Sequence, residues 1–184
     1  MNPKIEILPK VKEVLRAEAD AINAVKIDSS YEEAINILFE SSGKIITTGM
    51  GKAGFVAQKF AAIMSSTGTS SVFIHPAEAA HGDLGVISKN DSIVAFSTSG
   101  KTREVLEFIE LSRHMTNGSV IGITSHSDSG LRELSDVIID MGVIREPCPL
   151  GMTPTASMAV MAAVSDAIAL VLMQKKGITL EEYG

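Results

Sequence analysis

Apolar residues recur along this chain with two different spacings. Five short runs rich in Val, Ile and Thr are bounded by glycine, proline or serine. They predict β-strands at 44–49, 70–75, 91–97, 119–125 and 137–142. Elsewhere apolar residues recur every three or four positions, which predicts helices at 9–26, 31–40, 53–66, 102–115, 130–134 and 155–174.

Strands that alternate with helices favour a mostly parallel sheet with helices on both faces, so the predicted fold class is α/β. No repeat, low-complexity tract or linker interrupts the chain. We therefore expect one domain over 1–184, with an N-terminal helical hairpin at 9–41 and an α/β core at 44–175. Ligands bind such sheets at the carboxyl ends of the strands, near a topological switch point. A site is therefore expected in the loops that follow residues 49, 75, 97, 125 and 142.

Composition narrows the possible partners and the compartment. The 184 residues are 45% hydrophobic, which suits one domain with a sizeable core. The net charge is −6, so the chain lacks the basic face that nucleic acid needs. The single cysteine, Cys148, excludes an internal disulfide and indicates a reducing compartment. The N-terminus has no signal-peptide core. The most apolar stretch, 156–173, contains Asp166, so we expect a buried helix rather than a membrane span, and a cytoplasmic location.

The stretch "AFSTSGKTREV" at 95–105 places several hydroxyls between a strand and a helix. It is not a nucleotide P-loop, because that pattern needs glycine at position 95, where alanine stands. Free N–H groups at a helix start favour anions, and hydroxyls add further hydrogen bonds. The loop therefore predicts a site for one phosphate group, formed by Ser97, Thr98, Ser99 and Thr102. The alternative is ordinary helix capping by Ser99 or Thr98.

The stretch "GMGKAG" at 49–54 matches the dinucleotide pattern G-x-G-x-x-G. No acidic residue ends the next strand, however, and a ribose would need one there. Gly51 and Lys52 fit a small anion or a reacting oxygen better. The alternative is a tight turn that needs glycine only for its shape.

The stretch "HPAEAAHGDLG" at 75–85 contains two histidines and two acidic residues. Its spacing matches no standard set of metal ligands, so we expect no metal. His81 is a candidate for an acid–base or sugar-contacting role because histidine titrates near neutral pH, and His75 is a candidate for substrate binding. The alternative is a polar loop with a helical turn at 77–80.

The stretch "IREPCPLGMTPTAS" at 144–157 connects the fifth strand to the last helix. It supplies Glu146 at the mouth of the strand and a second group of hydroxyls around a helix start, namely Thr153, Thr155 and Ser157. Cys148 has no histidine beside it in sequence, so we expect a small buried residue rather than a nucleophile.

Together these stretches resemble the sugar isomerase (SIS) domain family, and within it the bacterial arabinose-5-phosphate isomerases. The resemblance covers nearly the whole chain. The Ser-x-Ser-Gly-x-Thr loop marks the superfamily, and the segments at 75–85 and 146–157 are specific to the arabinose-5-phosphate type. It implies a five-stranded parallel sheet in a three-layer αβα sandwich. It also implies a homo-oligomer, usually a tetramer although a dimer is possible, and interconversion of D-ribulose 5-phosphate and D-arabinose 5-phosphate without a cofactor.

The resemblance also implies roles for individual residues. Lys52, Glu104 and Glu146 fall on catalytic positions, and His81 lies in the active-site loop. The hydroxyls of Ser97, Ser99 and Thr102, and the second group at 153–157, fall on ligand-binding positions. Family members usually continue beyond the equivalent of 181–184 into a histidine-bearing segment, and many add CBS modules. This sequence ends at Gly184 and is expected to resemble the single-domain form.

Aldose–ketose isomerisation through an enediolate needs a base, a group that stabilises the oxyanion, and a phosphate clamp. Glu104 and Glu146 are equal candidates for the base, and Lys52 is the candidate oxyanion stabiliser. Two alternatives are another isomerase of the superfamily, such as a 6-phospho-3-hexuloisomerase, and a phosphosugar-binding module without enzymatic activity. The stretch at 75–85 argues against the first, and the acidic net charge means that a regulator would need a DNA-binding partner.

Overall fold

A computed structural model describes residues 5–181. The last residues, 182–184, from which the histidine-bearing segment of relatives would continue, lie outside the described part. The chain contains seven α-helices and five strands within that part, in the order α1 (Ile7–Asn23), α2 (Ser29–Glu40), β1 (Ile45–Gly49), α3 (Gly51–Ser66), β2 (Ser71–Phe73), α4 (Pro76–Ala79), β3 (Ser92–Phe96), α5 (Arg103–Ser112), β4 (Val120–Thr124), α6 (Gly130–Glu133), β5 (Val137–Asp140) and α7 (Ala156–Lys176). A 3₁₀-helix at Asp83–Val86 lies between α4 and β3.

The strands form one parallel sheet in the order β2-β1-β3-β4-β5. The three central strands β1, β3 and β4 are buried along their whole length, as expected when helices cover both faces. Threonines in β1 pair their hydroxyls with backbone carbonyls: Thr47 donates to Ala57 at 2.9 Å and Thr48 to Ile74 at 2.9 Å. These buried polar groups therefore carry little desolvation cost.

Helices pack on both faces of the sheet and divide the core in two. One half joins α2, α3 and α7 to the sheet, with Phe96 of β3 against Phe60 of α3 at a ring-centroid distance of 5.6 Å. The other half joins α4, α5 and α6 to residues such as Ile93 and Ala95 of β3. The predicted three-layer αβα sandwich with a five-stranded parallel sheet, preceded by two N-terminal helices, is confirmed.

Helix α7 is long and apolar enough to span a membrane by length and composition alone. Half of its most apolar stretch is buried inside the protein, where it packs against α1, α2 and α3. Burial against these neighbours explains its composition as that of a core helix.

Helix α1 differs from the other long helices because it buries none of its own residues. It lies against α7, and several of its apolar side chains remain exposed, namely Ile7, Leu8, Val11 and Leu15.

Candidate active site

The switch point of the sheet lies between β1 and β3. From β1 the chain passes outward to β2, and from β3 it passes to β4 on the other side. The two strands end level with each other, with Gly49 opposite Phe96. The loops after them therefore border one crevice, which is where ligands bind in sheets of this kind.

The loop after β3 is tightly organised by its own hydroxyls. Ser97 is only 3% exposed, and its Oγ lies 2.9 Å from Oγ1 of Thr102, so the two ends of the loop are joined. Ser97 Oγ also accepts the N–H of Gly100 at 3.1 Å, and Ser99 Oγ accepts the N–H of Lys101 at 3.2 Å. We call residues 97–102 the phosphate loop, after the phosphate site predicted for them from sequence.

Helix α5 begins directly after the phosphate loop. Thr102 is its N-cap residue, and no side chain in the described part of the chain caps it. The structure therefore contradicts the alternative that Ser99 or Thr98 serves only as a helix cap. The hydroxyls surround a helix start whose dipole favours an anion.

Glu104 lies in the first turn of α5 and is half-buried. Its carboxylate accepts no hydrogen bond from any residue of 5–181, and the neighbouring Arg103 pairs with Glu107 at 2.7 Å. Glu104 is thus a carboxylate close to the phosphate loop that accepts no hydrogen bond from the described residues.

The loop after β1 brings Lys52 to the crevice. Gly51 has φ +58°, and a Cβ on Gly54 would lie 2.5 Å from the carbonyl oxygen of Gly49. The glycines therefore serve the tight turn that sequence reasoning offered as an alternative. Lys52, in the first turn of α3, is exposed and forms no hydrogen bond or ion pair among residues 5–181. The tight turn therefore does not exclude a ligand-contacting role for Lys52, because the turn and the unpaired lysine are both present.

The loop after β2 presents its two histidines differently. His75 follows the edge strand, and its Nδ1 is buried without a hydrogen-bond partner among the described residues. Such an atom needs a ligand or a water molecule to satisfy it. His81 lies at the surface beyond the short helix α4. No group of three or more His, Cys, Asp or Glu side chains within 5–181 is placed to hold a metal ion.

The start of α7 is occupied by Glu146. Its carboxylate accepts the N–H groups of Thr155 and Ala156 at 2.8 Å each and that of Ser157 at 3.2 Å. Burial raises the pKa of Glu146. The hydrogen bonds from Ser157, Thr155 and Ala156 outweigh that effect and hold the pKa below the usual value of a glutamate. A carboxylate in this state is a weak base whose oxygens are already engaged.

The second group of hydroxyls divides between surface and interior. Thr153 is exposed, whereas Thr155 Oγ1 and Ser157 Oγ are both buried without a hydrogen-bond partner among the described residues. Thr155 is the N-cap residue of α7, but Glu146, not the Thr155 side chain, satisfies the helix start.

Helices α3 and α7 run side by side in the same direction. Lys59 of α3 bonds to Asp166 of α7 at 2.6 Å. Lys176, the last residue of α7, donates to Thr69, which lies three residues beyond the end of α3, at 2.8 Å. The first turn of α7 therefore lies near the first turn of α3, at the carboxyl ends of the strands, where the phosphate loop also lies. The structure thus places four predicted site residues at this end of the sheet, namely Lys52, Glu104, His75 and Thr155.

Cys148 is not the buried residue that the sequence suggested. It is half-buried, beside a cavity of about 800 Å³ between α1 and residues 143–149. Hydrogen bonds from Thr153, Leu150 and Met152 lower the pKa of its thiol to about 6. Sequence reasoning missed this effect because it depends on how the proline-flanked turn folds back on the sulfur.

Sequence reasoning also gave no role to the loop after β4, although that loop was among the five expected at the site. Thr124 is completely buried and donates its hydroxyl to the Thr98 carbonyl at 3.2 Å. Ser129 is nearly buried, and its Oγ has no partner within the described chain. The available signal was the position of Thr124 at the end of a central strand and of Ser129 in the loop that follows.

The SIS domain family model matches residues 37–171 of this chain. The chain is 35% identical over 185 residues to arabinose 5-phosphate isomerase KdsD of Pseudomonas aeruginosa, covering all of this chain and 56% of that protein. It thus spans about half the length of the curated relatives it matches.

Two solved structures are similar over nearly their whole length. One, a candidate phosphosugar isomerase involved in capsule formation from Bacteroides fragilis, is 40% identical with a TM-score of 0.93, covering 96% of this chain and 94% of that one. The other, an Escherichia coli CFT073 protein in complex with arabinose 5-phosphate, is 34% identical with a TM-score of 0.93, covering 100% of this chain and 98% of that one. The chain belongs to the SIS domain family.

Proposed function

We propose that the chain is a phosphosugar aldose–ketose isomerase that interconverts D-ribulose 5-phosphate and D-arabinose 5-phosphate through an enediolate. The observation that carries the proposal is the phosphate loop at the switch point, with a free lysine and a free carboxylate beside it. The relatives named arabinose 5-phosphate isomerase and the similar structure that holds arabinose 5-phosphate support the substrate. The reaction needs only acid–base groups, so the proposal includes no cofactor and no metal.

The phosphate loop positions the substrate. A phosphate monoester is a dianion at neutral pH, and the start of α5 offers it a positive dipole and the hydroxyls of Ser97, Ser99 and Thr102. Anchoring the distal phosphate leaves carbons 1 and 2 to extend across the crevice towards the neighbouring loop. Much of the rate enhancement in such reactions comes from holding the substrate in place.

Glu104 is the proposed base, in preference to Glu146. It takes the proton from C2 of the aldose, so that the C2–H electron pair forms the C1=C2 double bond and the C1 carbonyl electrons move onto O1. The proton of the C2 hydroxyl passes to O1, and the same proton or one from solvent is then returned to C1 as the C2=O bond forms. Glu146 is less suited because three backbone N–H groups hold its carboxylate and its pKa lies below the usual value. Its role in this proposal is to fix the start of α7 and its hydroxyls near the substrate.

Lys52 is the proposed stabiliser of the charge that develops on the enediolate oxygens. It stands in the first turn of α3 with no partner among residues 5–181 to neutralise it. A cation placed where charge develops lowers the barrier more than it favours the ground state. His75, Thr153, Thr155 and Ser157 are proposed to contact the sugar, and His81 to assist ring opening or contact its hydroxyls.

A homo-oligomer is part of the same proposal. Exposed apolar side chains on α1 and around the crevice, including Leu8, Phe55, Leu150 and Met152, favour burial against a second copy. The resemblance favours a tetramer, and His81 at the surface is then able to reach a neighbouring crevice. The proposed location is the cytoplasm, where pentose phosphates are available.

The experiment is to incubate the purified chain with D-ribulose 5-phosphate and detect D-arabinose 5-phosphate by NMR. We expect turnover, and we expect Lys52→Ala to lose about 10²–10³-fold in kcat because one stabilising donor is removed. Lys89→Ala, which removes an exposed lysine just before the amino end of β3, is the matched control and is expected to retain most of kcat. Absence of turnover with retained phosphosugar binding would contradict the enzyme and support a binding module.

A further inference from the structure

The segment 124–131, from the last residue of β4 to the start of α6, lies directly behind the phosphate loop. The Thr98 carbonyl accepts two hydrogen bonds from it, one from the N–H of Ser125 at 3.0 Å and one from the hydroxyl of Thr124 at 3.2 Å. The Gly100 carbonyl accepts a third, from the N–H of Leu131 at 3.0 Å. Two of the peptide groups in the phosphate loop are therefore held by residues outside it. We call these three bonds the β4 bracket.

Ser129 and Thr124 also pack closely behind Gly100. A Cβ at this position would lie 2.3 Å from Ser129 Oγ and 2.9 Å from Thr124 Oγ1. Gly100 also has φ +62°, a backbone conformation that residues with a side chain rarely adopt. Only glycine fits there, and the bracket residues are in contact with the backbone of the phosphate loop.

The bracket determines which way the loop presents its peptide groups. In a trans peptide the C=O and N–H point in opposite directions. Carbonyls of Thr98 and Gly100 that face β4 turn the N–H groups of Ser99 and Lys101 to the other side. The N–H of Lys101 does donate to Ser99 Oγ, on the side of the loop hydroxyls.

A phosphate dianion is repelled by carbonyl oxygens and attracted by N–H groups. Holding both carbonyls against β4 keeps partial negative charge away from the anion before it arrives. This arrangement costs no reorganisation at the moment of binding.

We propose that Thr124 is a positioning residue for phosphate binding, acting through the Thr98 carbonyl, with Ser129 and Gly100 as the packed support. The inference rests on the proposed function only for the identity of the substrate. Its chemistry applies to any phosphate monoester and to inorganic phosphate. By linkage, if the bracket strengthens phosphate binding, phosphate binding must strengthen the bracket by the same factor.

The first experiment compares Thr124→Val with Thr47→Val. Both threonines are completely buried in central strands, and each donates its hydroxyl to one backbone carbonyl, but Thr47 bonds to Ala57 of α3. Thr124→Val is expected to raise KM for D-arabinose 5-phosphate and the Kd for inorganic phosphate about fivefold to tenfold, with kcat changed by less than about twofold. Thr47→Val is expected to lower thermal stability similarly and to leave both constants unchanged. Thr124→Ser should restore the original values.

Equal changes of KM in the two valine variants, or a fall in kcat at constant KM, would overturn the proposal. The Kd for inorganic phosphate is measured by isothermal titration calorimetry without turnover. It therefore separates this inference from the proposed function: absent turnover with a weakened Kd contradicts only the isomerase. Failure of the unaltered chain to bind phosphate would overturn the phosphate loop and its bracket together.

A second measurement needs no variant. Hydrogen exchange of the Ser125 and Leu131 amides is recorded with and without saturating inorganic phosphate. We expect phosphate to slow exchange of these two amides severalfold, while the amide of Ser92, bonded to Lys44 at the opposite edge of the sheet, is unaffected. Unchanged exchange at Ser125 and Leu131 would overturn the coupling.

Discussion

Helices α5 and α7 begin near the same edge of the sheet but use their starts differently. At α5 no side chain of the described residues caps the helix, and the carboxylate of Glu104 in its first turn accepts no hydrogen bond. At α7 the carboxylate of Glu146 accepts hydrogen bonds from three backbone N–H groups. A helix start whose backbone N–H groups have no side-chain acceptor is available to a ligand. A helix start whose N–H groups donate to a carboxylate is instead stabilised by that carboxylate. Two glutamates that look equivalent in sequence therefore receive different roles.

Removing hydroxyls at the start of α5 should weaken phosphate binding. The double variant Ser99→Ala with Thr102→Ala deletes two hydroxyls of the phosphate loop. We expect KM for D-arabinose 5-phosphate to rise about 10–100-fold, because each hydrogen bond to a charged group contributes about 1.5–3 kcal/mol and water replaces part of it. Steady-state kinetics measures this change. An unchanged KM would mean that the phosphate binds elsewhere, and the comparison between the two helices would fail.

Removing the carboxylate at the start of α7 should instead lower stability. Glu146→Ala leaves three N–H groups without their acceptor, and we expect a loss of about 2 kcal/mol in the free energy of unfolding. Thermal unfolding at a fixed protein concentration measures it, as a fall of about 4–8 °C in Tm. Glu110→Ala, which removes an exposed carboxylate from α5, is the control and should change Tm by less than about 1 °C.

The same contribution should depend on pH. The pKa of Glu146 is lowered in the folded chain, so its stabilisation is present above the unfolded value, 4.5, and is lost as the pH falls through the folded value. The Tm difference between the unaltered chain and Glu146→Ala should therefore shrink below pH 4.5. A difference that grows on acidification would show that the carboxylate is not stabilised by these bonds.

The turn before α7 also lowers the pKa of the Cys148 thiol. Hydrogen bonds from Thr153, Leu150 and Met152 lower the pKa of Cys148 to about 6. We expect the rate of alkylation by iodoacetamide to rise with pH around a midpoint near 6, because the thiolate is the reactive form. Thr153→Val should move the midpoint upward. A midpoint near the ordinary value of 9.0, equal to that of the urea-unfolded chain, would contradict the turn geometry.

The strands were predictable because their composition is local information. Each predicted strand overlaps an observed one, and the ends differ by no more than two residues, since runs such as 92–96 are β-branched and bounded by turn residues. A helical turn at 77–80 was predicted only as an alternative, and the structure has α4 at Pro76–Ala79; the 3₁₀-helix at Asp83–Val86 was not predicted. Segments this short have little intrinsic preference, and their neighbours in the fold determine their conformation.

The position of the loop at 97–102 between a strand and a helix start was predictable for a similar reason, since its hydroxyls and its helix lie in one stretch of chain, and its binding of phosphate stays a prediction. The role of Glu146 was not. It bonds to amides nine to eleven residues further along, whereas helix caps are recognised in sequence within about three residues. The β4 bracket joins residues 26 positions apart, from Thr98 to Thr124, and becomes visible only when β3 and β4 are paired.

The most direct test of the account compares Glu104→Gln with Glu146→Gln in D₂O. NMR follows two quantities with D-arabinose 5-phosphate, namely isomerisation and the exchange of the C2 hydrogen for deuterium. We predict that Glu104→Gln loses both by about 10²–10⁴-fold because the base is removed. Glu146→Gln, which keeps an oxygen to accept the α7 amides, should retain both within about tenfold. The reverse order, with Glu146→Gln inactive and Glu104→Gln active, would contradict the roles assigned to the two helix starts.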